Sequence, residues 1–204
     1  VAVDPEVKGI TETAARAFED LGCNVEPVDF RLGSPEEVYA TFDVLYNSRM
    51  YATNGHLLEN HRDLLTDYFS EGLENGKSFT SVDLWNAMSQ LEIYRSYVRQ
   101  FFSNYDILLT PTLATPSFPV GQHPESIDGK AVPHRHWGFT PFTYPFNMAG
   151  NTAASVPAGF TQSGLPVGLQ IVCAFGQEST VLSASERYEE ARPWAARIPE
   201  IANF

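Results

Sequence analysis

One stretch of the sequence, residues 111–145, constrains the fold more than any other part of the chain. It is rich in proline, glycine and aromatic residues, and it shows neither the period of a helix nor that of a strand. Irregular segments of this length are uncommon inside compact domains, and those that occur often carry function. The rest of the chain must therefore supply a scaffold for this segment, and the segment is the first place to look for a functional site.

Two helical regions are predicted upstream of this segment. Asp4-Pro5-Glu6 offers an N-cap acceptor, a proline at the first helical position and an acid in the first turn. The apolar period that follows ends at Gly22, a residue typical of the position just beyond a helix. Ser34-Pro35-Glu36-Glu37 predicts a second helical stretch, which runs in pieces to a turn at Asn75-Gly76.

The clearest helix is predicted over residues 80–104, where Asp83 completes a capping box with Thr80. Residues 106–110 follow as a short apolar run, which predicts a central strand buried on both faces with this helix packed on its sheet. The stripe expected to face the core in the helix comprises Leu84, Met88, Leu91, Tyr94, Val98, Phe101 and Phe102.

Further strands are expected before and after the irregular segment. Residues 25–30 predict a short strand near an edge, because Pro27 removes a ladder donor. Residues 153–157 and 167–172 predict a hairpin, and residues 176–190 a last helix with Val181, Leu182, Ala184 and Ser185 inward. The residues expected to tie the tail to the body are Trp194, Ile198, Ile201 and Phe204.

Charge and composition exclude several classes of partner. The formal net charge of -12 disfavours nucleic acid, and no cluster of basic residues predicts a membrane surface site. No apolar run is long enough to span a bilayer. Cys23 and Cys173 lie far apart in apolar company, so we expect two buried thiols in a reducing, cytoplasmic compartment.

The histidines of the irregular segment leave two interpretations open. His134 and His136 are two residues apart, with His123 upstream, so two imidazoles could share a metal ion. No carboxylate or thiol completes a convincing set, and Arg135 lies between the pair. We favour a histidine-bearing loop, and we expect neither a metal nor a cofactor.

The lysines exclude one catalytic role for this chain. A lysine that acts as a general base must be neutral at the working pH, which requires burial or a nearby cation. Lys8, Lys77 and Lys130 are the lysines of the sequence, and all three fall on polar helix or turn positions. None of them is expected to be a base.

Three stretches resemble the amidase-signature family. Residues 3–25 resemble a helix-strand unit of the second half of these enzymes, and residues 105–112, YDILLTPT, are similar to one of their strands. The most specific match is residues 143–172, TYPFNMAGNTAASVPAGFTQSGLPVGLQIV, which is similar to the family's fN-aG and GlPvGlQiv elements. Thr152 stands where the family usually has proline, which leaves this turn less fixed without undoing the match.

The resemblance implies an α/β fold, with this chain as the C-terminal part of a single amidase-signature α/β/α domain around a mixed β-sheet flanked by helices. It implies hydrolysis or transfer at carboxamides by a serine nucleophile, a bridging serine and a lysine base. In the family these residues lie in an earlier Gly/Ser-rich stretch, so no catalytic residue is expected here.

This chain would instead shape the substrate pocket, or its aromatic residues would simply pack the loop. The density of aromatics favours an apolar or aryl substrate group. The pocket candidates are Trp137, Phe139, Thr140, Phe142, Tyr144 and Asn147. Glutamine-specific amidotransferase subunits carry an acid where Thr140 falls, so the resemblance is closer to general amidases.

A second hypothesis is a non-catalytic binding module, or pseudoenzyme, that keeps the amidase scaffold. Val1-Ala2-Val3 reads as the end of a strand, so we expect a truncated or processed product. The expected partners are a small-molecule amide and the missing N-terminal part of the same enzyme, with a homo-oligomer left open.

Overall fold

The computed structural model describes residues 1–197, which form two compact units. The first contains Val1–Phe30 and the chain from Phe101 onward, and the second contains Arg31–Gln100. The predicted tail residues Ile198, Ile201 and Phe204 lie outside the described part. Trp194, the fourth residue predicted to tie the tail to the body, packs against the core beside Tyr188.

A three-stranded antiparallel sheet organises the first unit. Its strands are β1 (Leu108–Pro111), β4 (Thr152–Phe160) and β5 (Pro166–Cys173), in the order β1-β5-β4. The β4–β5 hairpin was predicted from the sequence and is confirmed. β1 was expected to be central, but among the described residues it pairs with β5 alone, and the central strand is β5.

Two helices cover one face of this sheet. They are α1 (Pro5–Asp20) and α7 (Glu178–Ala191). Asp4 caps α1 as expected, accepting bonds from the backbone N–H groups of Glu6 and Val7 at 2.9 and 3.2 Å. The core between helices and sheet consists of Ala14, Ala17, Phe18, Val156, Leu169, Ile171 and Tyr188.

The opposite face of the sheet carries a smaller apolar cluster. Leu108 and Val172 pack there against Phe146 of the short helix α6 (Tyr144–Ala149). Two short strands, β2 (Ser126–Ile127) and β3 (Lys130–Ala131), form a separate hairpin. The expected α/β class is confirmed, and both sheets of the described residues are antiparallel.

The second unit is helical. It contains α2 (Pro35–Asn54), α3 (His56–Asn60), a 3-10 turn (Arg62–Leu64), α4 (Asp67–Ser78) and α5 (Ser81–Phe101). The last residue of α5, Phe101, belongs to the first unit. α2 begins where the sequence predicted, and Ser34 and Glu37 form a capping box at its start. At the start of α5, the Asp83 carboxylate accepts bonds from the Thr80 N–H and hydroxyl at 2.8 and 2.6 Å.

Two sequence predictions about local structure are wrong. Residues 25–30 form no strand in the described structure, and Pro27 lacks the backbone N–H that a strand ladder uses. Asn75-Gly76 is not a turn but lies inside α4. A Cβ on Gly76 would overlap the backbone carbonyl of Asn47, so this glycine allows α4 to approach α2 closely.

Three burial predictions also fail. Met88 and Leu182 are 48% and 68% exposed, while Ala87 and Val181, one residue earlier on each helix, are 5% and 3% exposed. One residue is a rotation of about 100° on a helix, enough to move a side chain from core to solvent. Cys23 is exposed, because it follows the end of α1, whereas Cys173 is buried in β5 as expected.

Candidate substrate site

The irregular segment is fastened to the sheet where it begins. The Thr112 N–H donates to the Gly168 carbonyl of β5 at 2.9 Å, and the Ala114 N–H donates to the Phe139 carbonyl at 3.0 Å. The carbonyl of Ala114 accepts from the N–H of Asp4, at the start of α1, at 2.8 Å. Ala114 is fully buried. The segment therefore leaves β1 in a fixed direction.

A chain of tight turns follows the β2–β3 hairpin. The Gly138 N–H donates to the His134 carbonyl at 2.7 Å. The N–H and the hydroxyl of Thr140 both donate to the Trp137 carbonyl, at 3.0 and 2.8 Å. The next turn closes when the N–H and hydroxyl of Thr143 donate to the Thr140 carbonyl, both at 3.1 Å. In both turns a threonine hydroxyl therefore reinforces the backbone hydrogen bond to the same carbonyl.

The segment ends on the sheet through α6. Gly150 has a φ of 82° and ends the helix, with its N–H donating to the Phe146 carbonyl at 2.9 Å. A left-handed residue at this position favours glycine. The Asn151 side-chain amide then donates to the Cys173 carbonyl of β5 at 2.7 Å. Both ends of the segment are therefore anchored to the same central strand.

A third anchor holds the segment between these ends. The Gln170 side-chain amide donates to the Phe142 carbonyl at 2.7 Å and to the Thr110 hydroxyl at 3.0 Å. Gln170 is 5% exposed. Sequence reasoning did not select this residue as functional, although it is part of the GLQ stretch that carries the resemblance.

The six pocket candidates differ in exposure. Thr140 and Tyr144 are 8% and 3% exposed, so their side chains belong to the core of the segment. Trp137, Phe139 and Phe142 are half-buried, and Asn147 on α6 is exposed. The half-buried aromatics and Asn147 present surface that a ligand can contact, and their role in a pocket remains a prediction.

Phe139 belongs to an aromatic and histidine cluster. Its ring lies 4.9 Å from that of Phe118 in an edge-to-face arrangement and 5.9 Å from the His123 ring. His123 also contacts Phe118 and His136, with ring centroids at 5.5 and 4.8 Å. Phe118 and His123 join Phe139 from a distant part of the segment, which the spacing in the sequence could not show.

The histidines of this segment contact one another, with ring centroids 4.8 Å apart for His123 and His136 and 5.8 Å apart for His134 and His136. The His134 Nδ1 atom accepts a bond from the His136 N–H at 3.2 Å. The Nδ1 atom of His123 is buried and has no hydrogen-bond partner among the described residues. Across residues 1–197, no group of three or more His, Cys, Asp or Glu side chains is arranged to hold a metal ion.

No lysine lies in an environment that would make it a base. Lys8, Lys77 and Lys130 are all exposed, as the sequence predicted. Lys8 forms a surface ion pair with Glu12 at 3.9 Å. The site built by this chain thus offers aromatic surface and a fixed backbone, without a lysine base.

Within the described part of the chain, none of the helices has both the length and the apolar character needed to cross a bilayer.

Known proteins with similar sequence cover almost all of this chain. An acylamidase from Rhodococcus erythropolis is 34% identical over 97% of the chain. A 6-aminohexanoate-cyclic-dimer hydrolase from a Pseudomonas species is 29% identical over 99%. The chain spans 41% and 43% of the length of these two relatives.

A solved structure shares the fold. A bacterial aryl acylamidase of the amidase-signature family superposes with a TM-score of 0.84 at 26% identity, over 96% of this chain and 42% of its own. The amidase family model matches residues 1–182, which include both anchored ends of the irregular segment and the GLQ stretch. The chain therefore belongs to the amidase-signature family.

Proposed function

We propose that this chain is the C-terminal, substrate-pocket part of an amidase that cleaves the carbon-nitrogen bond of carboxamides. The serine nucleophile, the bridging serine and the lysine base would lie outside these 204 residues. The observation that carries the proposal is the match of nearly the whole chain to about two fifths of the length of known amidases. A part that matches less than half of its relatives need not contain their catalytic groups.

The exposed lysines support this division of roles. A serine-lysine mechanism needs a neutral amine beside the nucleophile, and burial is the usual way to obtain one. Each lysine of this chain is in contact with solvent. In this proposal the base comes from a part of the protein that corresponds to the remaining length of the relatives.

The half-buried aromatics support an aryl or otherwise apolar substrate group. Trp137, Phe139 and Phe142 lie within one anchored segment, and Phe118 and His123 extend the aromatic surface beside Phe139. Ligand pockets are lined mainly by such side chains, with a few polar groups that fix orientation. The similarity to an acylamidase and to an aryl acylamidase agrees with this substrate class.

The two free cysteines support a reducing, cytoplasmic location. The protein's partners would be the small amide and the N-terminal part of the same enzyme.

The test compares two proteins. One is the purified 204-residue chain, and the other is the product of the same reading frame extended upstream of Val1. With acyl anilides as substrates, we expect turnover only from the extended protein, and a Gly/Ser-rich stretch preceded by a lysine in its added sequence. Turnover by the chain alone, or an extended protein that binds anilides without cleaving them, would contradict the proposal. The second result would favour a non-catalytic binding module.

Pocket residues are tested in the extended protein with matched variants. Phe139→Ala should lower the kcat/KM for acyl anilides, whereas Phe175→Ala should leave it unchanged, because Phe175 is 83% exposed. Trp137→Ala is paired in the same way with Trp85→Ala, at a position 69% exposed. Equal effects of the two members of a pair would remove these aromatics from the pocket.

A further inference from the structure

The side-chain amide of Gln170 lies at a junction of three elements. Gln170 projects from β5, the central strand, toward the opposite face from its neighbours Leu169 and Ile171, which pack in the main core. Its Nε2 atom reaches Thr110 on β1 and the backbone carbonyl of Phe142 in the irregular segment. One side chain thus connects two strands to the segment that carries the pocket candidates.

The chemistry of the two partners fixes what Gln170 must supply. A backbone carbonyl accepts hydrogen bonds and cannot donate. The Thr110 hydroxyl donates its own hydrogen to the Pro111 carbonyl at 3.0 Å, so toward Gln170 it also acts as an acceptor. Both partners therefore require a donor, and the amide group of glutamine provides two hydrogens without a charge.

Burial makes this arrangement exacting. Gln170 is 5% exposed, so water cannot easily replace a bond that the side chain fails to make. A carboxylate at the same place would offer only acceptor oxygens to the Phe142 carbonyl and the Thr110 hydroxyl, which both require a donor. A methionine of similar length would leave the Phe142 carbonyl without this donor. The requirement is thus for the amide group and not only for a side chain of this size.

We propose that Gln170 is a positioning residue of the substrate pocket: through the Phe142 carbonyl it sets the place of residues 137–147 on the sheet. It does not touch substrate, and it acts through the segment that does. The expected effect of Gln170 on catalysis rests on the proposed function. Its expected effect on the position of residues 137–147 rests on the hydrogen bonds alone.

The structural consequence is tested without substrate. Hydrogen–deuterium exchange is measured on the extended protein and on its Gln170→Met variant, with Gln162→Met as the control, because Gln162 is an exposed glutamine of the same hairpin. Losing the hydrogen bond to the Phe142 carbonyl should speed exchange of the 138–147 amides by about tenfold, while α1 and α7 keep their protection. No change in the segment, or a uniform rise throughout the chain, would overturn the proposal.

The catalytic consequence is tested in the extended protein. Gln170→Met should raise the KM for acyl anilides by about tenfold with little change in kcat, since a displaced pocket weakens binding before and during reaction alike. Small alkyl amides, which do not fill an aryl pocket, should show a smaller change. Equal effects on both substrate classes would indicate a general loss of folding instead of positioning.

A second variant keeps the test decisive if the methionine variant fails to fold. In Gln170→Glu, a protonated carboxyl can donate one bond to the Phe142 carbonyl, whereas the carboxylate cannot. The KM of this variant, relative to the parent at each pH, should therefore improve as the pH falls. A ratio that does not depend on pH would count against positioning. If the extended parent protein cleaves no amide, the proposed function fails, while the exchange measurement still decides the role of Gln170.

Discussion

The hydroxyl oxygens of Thr112 and Ser155 lie 2.6 Å apart, above the backbone of Gly168. Thr112 follows β1 and Ser155 belongs to β4, so the pair bridges the two outer strands across β5. A Cβ atom on Gly168 would lie 2.7 Å from each of these oxygens. The glycine of the GLQ stretch therefore leaves space for this bridge, and Gln170, two residues later, makes the next link on the same face.

The first prediction concerns Gly168→Ala. The added methyl group would overlap both hydroxyls, and overpacking of this kind costs about 1–3 kcal/mol. The control is Gly9→Ala in α1, where a Cβ meets nothing within 4 Å and helix propensity should stabilise the protein by about 0.4–1 kcal/mol. Urea unfolding of both variants measures whether the free energy of unfolding falls for Gly168→Ala and rises for Gly9→Ala.

A second-site change checks the cause of that destabilisation. Replacing the Ser155 hydroxyl by the smaller side chain of alanine removes one of the two overlapping atoms. Ser155→Ala should therefore be less harmful, or even favourable, in the Gly168→Ala background. If the two substitutions are additive, the overlap is not the reason for the loss.

Local chemistry at helix ends was readable from the sequence. Asp4, Ser34 and Thr80 each cap the helix that they were expected to begin. A cap depends on residues two or three positions apart, so the sequence contains all the information that it needs. The turn at Asp128-Gly129 was predictable for the same reason, and both residues have positive φ, 49° and 71°.

Relationships between distant residues were not readable in this way. Residues 25–30 have the composition of a strand, but pairing needs a neighbour that the sequence does not specify. The place of β1 beside β5 and the contact of Phe139 with Phe118 and His123 also depend on the tertiary fold. The missing periodicity of residues 111–145 identified this segment as the first place to look for a site, and the three-dimensional structure was needed to find Gln170 as its anchor.

The second prediction concerns Leu108→Ala in β1. Leu108 is 6% exposed and packs against Phe146 and Val172, so its truncation should cost about 2–5 kcal/mol. Leu182→Ala, at a position 68% exposed, should change the free energy of unfolding by less than about 0.5 kcal/mol. A loss at Leu108 as small as that of the control would mean that the β1–α6 cluster contributes little to stability.

The third prediction concerns the reactivity of the two thiols. Cys23 is exposed and Cys173 is buried. Burial, with a smaller contribution from the nearby Asp106 carboxylate, raises the pKa of Cys173 to about 11. At pH 8 an aromatic disulfide reagent should modify one thiol quickly and the second only after unfolding in urea. Rapid modification of both thiols in the folded protein would contradict the burial of β5.

The same thiol predicts a loss of stability at alkaline pH. Its folded-state pKa of about 11 lies above the value of about 8.5 expected for an unfolded cysteine. Between these values the unfolded chain releases a proton that the folded chain keeps, so the free energy of unfolding should fall as the pH rises. Cys173→Ser removes this titration, and its stability should decrease less steeply over the same interval. Parallel pH profiles for the two proteins would exclude the thiol as a cause.

The fourth prediction concerns self-association of the 204-residue chain. Among the described residues, β1 and β4 each pair on one side only, and unpaired strand edges recruit other chains. Val82, Trp85 and Ile93 on α5 are 65%, 69% and 60% exposed. Exposed apolar patches above about 300–600 Å² are rare on monomeric proteins, because such surfaces promote association. We therefore expect the chain by itself to self-associate or to be marginally stable, and the extended protein to be more stable.

Sedimentation at several concentrations, followed by urea unfolding, measures both parts of this expectation. Trp85→Lys, which introduces a charge on the exposed apolar surface of α5, should reduce association without lowering stability, because this side chain is 69% exposed. Lys77→Ala is the control at an exposed polar position and should leave association unchanged. A monodisperse monomer with a cooperative transition and an m-value normal for its size would show instead that these residues close a sufficient core by themselves.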